Sequence, residues 1–121
     1  MDAFGLPKNS EEEKQARTQA IQEATLYATQ VPLKTMQVCF SGYEIAQAMV
    51  EKGNPNSVTD AGVGALCIRT AIYGAYLNVK INASGLKDKI IADAMVLEAT
   101  EILDKSNAKE QEIMIATLAR M

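Results

Sequence analysis

The chain has 121 residues, of which 48% are hydrophobic and 22% charged, and a formal net charge of −3. That length suits one domain or part of one, and the apolar fraction excludes a disordered chain. With no run of Lys or Arg, the acidic balance argues against nucleic acid and membrane surfaces as partners.

Histidine is absent, which removes the commonest general base and the commonest zinc ligand, so no metal site is expected. Cys39 and Cys67 both fall in apolar helical segments and are expected to be buried free thiols, with a bridge or a reactive thiol as alternatives. The opening MDAFGLPKNSEEEKQ lacks the apolar centre of a signal peptide, and no run of about 18 apolar residues exists to span a membrane. A cytoplasmic location follows as the expectation.

Residues 1–9 read as an irregular lead-in punctuated by Gly5 and Pro7. Ser10 and Glu13 then stand at capping-box spacing ahead of a helix over SEEEKQARTQAIQEATLYATQ, with Glu11 to Glu13 at its positive end. Pro32 either kinks this helix or opens the next, whose apolar positions Met36, Cys39, Phe40, Tyr43, Ile45 and Met49 lead to a stop at Gly53. A third helix starts near Ser57, with Asp60 again at capping-box-like spacing, and ends before Gly85. The last segment, from Leu86, is one long helix or two broken around Ser106–Asn107. The expected fold is all-α: an antiparallel bundle of about four to five helices.

The third helix is unusual by face. At 100° per residue, Gly64, Cys67, Ala71, Gly74, Asn78 and Asn82 lie within about 40° of Asp60. Val63, Leu66, Leu77 and Ile81 flank that face on one side, and Ala61, Ile68, Ile72, Ala75 and Val79 on the other. Only the arc with Arg69, Tyr73, Tyr76 and Lys80 reads as made for solvent. A helix apolar over most of its circumference belongs at the centre of a bundle. Glycine inside it costs up to ~1 kcal/mol relative to alanine, so Gly62, Gly64 and Gly74 point to close approach of other backbone.

Asp60 is by spacing a capping residue, or else a carboxylate that binds a cationic group or moves a proton. Asn78 and Asn82 bond between helices or line a groove. Asn54, Pro55 and Asn56 are turn residues. About 27 Å of helix separates Asp60 from Asn78, so one chain cannot bring both to one small site.

The stretch GNPNSVTDAGVGALCIRTAIYGAYLNVKINASGLKD, residues 53–88, resembles the hallmark segment of the formimidoyltetrahydrofolate cyclodeaminase / methenyltetrahydrofolate cyclohydrolase family. DAFGLPKNSEEEKQARTQAIQEAT and the VPL that follows resemble its flanks. The resemblance implies an all-helical homodimer acting on one-carbon units of tetrahydrofolate, with folate as substrate and no prosthetic group. It implies formimidoyltetrahydrofolate cyclodeaminase activity, which closes 5-formiminotetrahydrofolate to 5,10-methenyltetrahydrofolate with release of ammonia, as in histidine degradation. The alternatives are the cyclohydrolase, which opens the methenyl bridge with water, and a non-catalytic helical fragment that only dimerises.

On this reading Asp60, matching the family's motif aspartate, is catalytic. Asn54, Asn56 and Ser57 bind substrate, and Asn78 and Asn82 shape its groove. Arg69, Lys80, Lys87 and Lys89 are available to the folate tail. Family members carry an upstream glycine-rich motif that this chain does not contain, so 1–121 is read as the C-terminal part of the domain.

Overall fold

The computed structural model describes residues 2–121, and every regular element in them is helical. Helix α1 (Glu11–Lys52) begins at Ser10 as the spacing predicts. Ser10 Oγ accepts from the Glu13 amide at 3.1 Å, and Glu13 Oε2 accepts from the Asn9 amide at 2.9 Å. This is a capping box whose return arm reaches one residue further than usual. Ahead of it the chain is not wholly irregular. Asp2–Gly5 forms a 3-10 turn, and Arg17 holds it by donating to the Phe4 carbonyl at 3.3 Å and lying over the Phe4 ring.

Three long helices make the fold, not four to five, and two places account for the difference. Pro32 neither ends α1 nor starts a new helix. A proline inside a helix lacks the N–H that would serve the carbonyl four residues back, here Ala28. Asn82 of α2 (Val58–Ala83) supplies the donor, its Nδ2 lying 2.8 Å from the Ala28 oxygen. Likewise α3 (Lys89–Ala119) runs unbroken through Ser106–Asn107. Ser106 is fully buried and its hydroxyl pairs with Tyr43 Oη of α1 at 2.6 Å. A polar pair that reads as a break in sequence is a bond across the core.

The helices run up, down and up. Asn82 meets Ala28 where α2 ends, and Gly62 meets Thr117 where α3 ends. The parallel pair α1 and α3 is joined by Gln37 Nε2 donating to Glu98 Oε1 at 2.7 Å as well as by Tyr43–Ser106. The core between them is aliphatic: Leu33, Met36 and Val50 of α1, Ile72 and Val79 of α2, Met95, Leu103 and Ile113 of α3, with several alanines between. Arg69 links α2 to α3 at the edge of this core. Its Nε donates to Asn107 Oδ1 at 3.1 Å and its Nη1 lies 3.8 Å from the buried Glu110 carboxylate.

Several expectations for α2 are corrected. Only two helices pack on it, so only one flank is covered: Ile72, Ala75 and Val79 are buried. The other flank is bare, with Val63 57%, Leu77 57% and Ile81 68% exposed. Gly62 does meet a neighbour, since a Cβ there would lie 2.9 Å from Thr117 Cγ2, but Gly64 and Gly74 face open space. Cys39 is half-buried and Cys67 exposed, and both are free. The expected Ser57–Asp60 capping box is not made: Ser57, at φ −110° and ψ 16°, makes no side-chain cap bond.

The turns are tied by side chains. Gln22 of α1 receives the Lys87 amide at 2.8 Å and donates to the Gly85 carbonyl at 3.2 Å, which clamps the α2–α3 loop onto α1. Asp88 Oδ1 then caps α3 through the Ile90 and Ile91 amides at 3.1 and 3.2 Å. No helix among the described residues is long and apolar enough to cross a membrane.

The glycines separate experimentally. Gly64→Ala is expected to raise the urea-unfolding free energy by about 0.5–1 kcal/mol, because it adds helix propensity in open space. Gly62→Leu is expected to lower it by about 2 kcal/mol or more, because it drives the side chain into Thr117. Equal effects at the two positions would contradict the packing described.

Burial pushes the Tyr43 phenol above its ordinary value of 10.0, opposed in part by the Ser106 bond and reinforced by the Glu110 charge. A raised acid stays protonated in the fold. Its contribution is complete below the unfolded value near pH 10 and is lost as pH rises through the higher folded value. In an alkaline titration, one phenolate absorbance step is therefore expected to coincide with loss of the helical signal, and Tyr43→Phe should remove that step. Ionisation of every tyrosine in a still-helical protein would refute this.

Candidate functional site

Between α1 and α2 lies a groove of about 670 Å³, within the range of about 300–1,000 Å³ typical of small-molecule sites. Tyr27, Val31, Pro32 and Thr35 form its α1 wall, and Ala71, Gly74, Asn78 and Asn82 its α2 wall. A second, apolar cleft of about 320 Å³ continues along α1 through Val31 and Thr35 to Val38 and Cys39.

Local chemistry explains why a groove forms here. Gly74 has no atom within 4 Å of where its Cβ would stand, and with Ala71 it makes a low floor. The Pro32 ring and the Tyr27 ring supply flat apolar area opposite. Asn82 joins the two walls through the Ala28 carbonyl, and Asn78, one turn earlier, donates to the Gly74 carbonyl of its own helix at 3.2 Å. Each asparagine thus gives a donor to main chain and keeps a side-chain oxygen unbonded among the described residues.

None of the groove-lining residues carries a charge. The groove therefore offers stacking area and neutral hydrogen-bond acceptors, which suit a flat polar heterocycle, and contains no carboxylate or ammonium to move a proton.

The residues singled out from sequence divide into two groups. Asn78 and Asn82 line the groove together. Asn54, Asn56, Ser57 and Asp60 collect at the opposite end of α2, all exposed. There Asn54 Oδ1 accepts from the Asn56 amide at 3.0 Å and caps the 3-10 turn Pro55–Ser57. Asp60 is neither in the groove nor engaged as a cap. About 27 Å of helix separates it from Asn78, as the sequence requires.

The basic residues are also accounted for. Lys89 Nζ donates to the Leu86 carbonyl at 2.7 Å, Lys80 lies over the Tyr76 ring, and Arg69 is engaged with α3. None of these three lines the groove, and neither does Lys87.

Sequence reading missed Tyr27, Pro32 and Thr35 as site residues. One signal was present: a proline in a helical pattern frees the carbonyl four residues back, and an asparagine on a neighbouring helix is the natural donor to it.

Residues 1–101 match the formiminotransferase-cyclodeaminase family. The chain is 42% identical over 113 residues to a methenyltetrahydrofolate cyclohydrolase of Methylorubrum extorquens, covering 93% of this chain and 54% of that protein. It is 29% identical over 120 residues to the formimidoyltransferase-cyclodeaminase of Rattus norvegicus, covering 99% of this chain and 22% of the relative. The Dictyostelium discoideum formimidoyltransferase-cyclodeaminase is 32% identical over 112 residues, or 20% of its own length. The chain thus spans about half the length of the first relative and about a fifth of the other two.

Proposed function

Because the chain belongs to the formiminotransferase-cyclodeaminase family, we propose that it takes part in ring opening or closing at the one-carbon unit of tetrahydrofolate. The observation that carries this reading is the neutral α1–α2 groove, with two asparagine oxygens over a glycine–alanine floor. The flat pterin ring occupies the groove, where aromatic and proline surface covers one face and the asparagines meet its polar edge.

Of the two reactions, we adopt the cyclohydrolase, which reverses the order suggested by the resemblance. Its support is 42% identity over 93% of the chain to a cyclohydrolase, against 29% and 32% to the two cyclodeaminase relatives. In this reaction water adds to the methenyl carbon of the N5–CH–N10 cation and the C–N5 bond breaks. The products are 10-formyltetrahydrofolate and one proton. Cyclodeamination is the second reading, favoured by the fuller coverage of this chain by the rat relative. There N10 attacks the formimino carbon, N10 loses its proton, and ammonia leaves after protonation.

Asp60 is the carboxylate assigned to proton transfer. It is exposed and forms no hydrogen bond or ion pair among the described residues. Since α2 holds it far from the groove, a second copy or further protein must bring the two together. The bare apolar stripes fit that need: Tyr27, Val31, Val38 and Ile45 on α1 and Val63, Leu66, Leu77 and Ile81 on α2. We assign them to homodimerisation.

Three measurements test the reading. The protein is expected to discharge the methenyl absorbance of 5,10-methenyltetrahydrofolate faster than it releases ammonia from 5-formiminotetrahydrofolate; the reverse order restores the cyclodeaminase. Asp60→Asn is expected to lower kcat by about a hundredfold, and an unchanged kcat removes Asp60 from the chemistry. Val38→Glu combined with Ile45→Glu is expected to shift the sedimenting species from dimer to monomer, whereas an unchanged mass places the interface elsewhere.

A further inference from the structure

The bond between Asn82 and Ala28 has a second consequence, for the polarity of the groove. In an ordinary helix the amide of residue 32 would donate to the Ala28 carbonyl. Proline has none, so that oxygen must find another donor. A side-chain amide can serve only through its nitrogen end. Asn82 Nδ2 takes the place at 2.8 Å, which fixes the opposite end of the amide, Oδ1, as the one turned away from Ala28. No buried side-chain nitrogen or oxygen among the described residues lacks a partner. Asn82 Oδ1 accepts nothing from the described residues, so it is open to solvent, in a residue that lines the groove. Asn78 is turned in the same sense, its Nδ2 on the Gly74 carbonyl.

We propose that Pro32 is a positioning residue that locks the Asn82 amide with its oxygen toward the groove. Asn82 thereby selects ligands that present an N–H donor edge. The chemical class is a heterocycle with an exocyclic amino group beside a ring N–H. An isosteric ring bearing a methyl group in place of that amino group leaves the oxygen unmet. The identity of the ligand rests on the folate reading above; the lock itself rests on geometry alone.

The test uses the full chain, wild type and Pro32→Ala, with two readouts. The first is hydrogen exchange of the Asn82 side-chain amide by NMR, which needs no ligand. Protection is expected in the wild type and its loss in Pro32→Ala, where the restored main-chain N–H serves Ala28 and Asn82 is free to turn. The second is calorimetric titration with 5-formyltetrahydrofolate and with its analogue carrying methyl in place of the 2-amino group. The wild type is expected to prefer the amino compound by about tenfold or more, the scale of one lost hydrogen bond that leaves an acceptor unmet. In Pro32→Ala that ratio should fall to about twofold or less.

An unprotected Asn82 amide in the wild type overturns the lock. Protection with equal affinities, or a ratio unchanged by Pro32→Ala, overturns the selection while leaving the folate reading intact. Failure of both compounds to bind overturns the folate reading and the selection together, and protection of the amide would then still report the lock.

Discussion

One main-chain carbonyl, Ala28, organises this molecule. Pro32 deprives it of its helical donor, and a half-buried carbonyl without a donor would cost roughly 1–3 kcal/mol. Asn82 meets that demand from the neighbouring helix. Because the demand is met, α1 continues for 42 residues instead of breaking at mid-length. Because it is met from α2, the two helices are held at one relative height, with Gly74 and Asn78 opposite Tyr27 and Val31. The groove follows from that alignment.

Polar pins of this kind matter more here than in an ordinary bundle. Much of the core is alanine, at positions 46, 65, 75, 83, 92 and 99. Small side chains make shallow ridges, and shallow ridges discriminate weakly between neighbouring registers. Specific bonds then decide. Asn82 on Ala28 sets α1 against α2, Tyr43 on Ser106 sets α1 against α3, and Arg69 on Asn107 sets α2 against α3. Each helix pair has at least one such pin, and each pin joins residues far apart in sequence.

This explains which parts of the structure were legible in the sequence. Local signals were read correctly: the Ser10–Glu13 cap, the helical class, and a stop at Gly53, where a Cβ would collide with the Met49 carbonyl. Signals whose meaning depends on a distant partner left two alternatives open. Pro32 looks like a boundary until Asn82 is placed beside it. Ser106–Asn107 looks like a break until Tyr43 and Arg69 arrive. The burial of α2 was overestimated for the same reason, since periodicity shows which faces are apolar but not how many neighbours cover them. Asn78 and Asn82 stood out because two amides one turn apart on a slim face need partners, whether protein or ligand.

The bare faces complete the argument. The α2 stripe of Val63, Leu66, Leu77 and Ile81 and the α1 stripe of Tyr27, Val31 and Val38 are all exposed. Asp60 and Asn78 occupy the same angular position on α2, at its two ends. A second copy covering these stripes, as proposed for the dimer, would also lie over the groove and beside the carboxylate. In the proposed dimer, the contact that takes these stripes out of solvent would also exclude water from the groove, and electrostatic interactions beneath it would strengthen as the local dielectric falls. The proposed association and the proposed chemistry thus draw on one surface. Left bare, the stripes confer no stability on the isolated bundle, and the proposed dimer supplies what would lie against them.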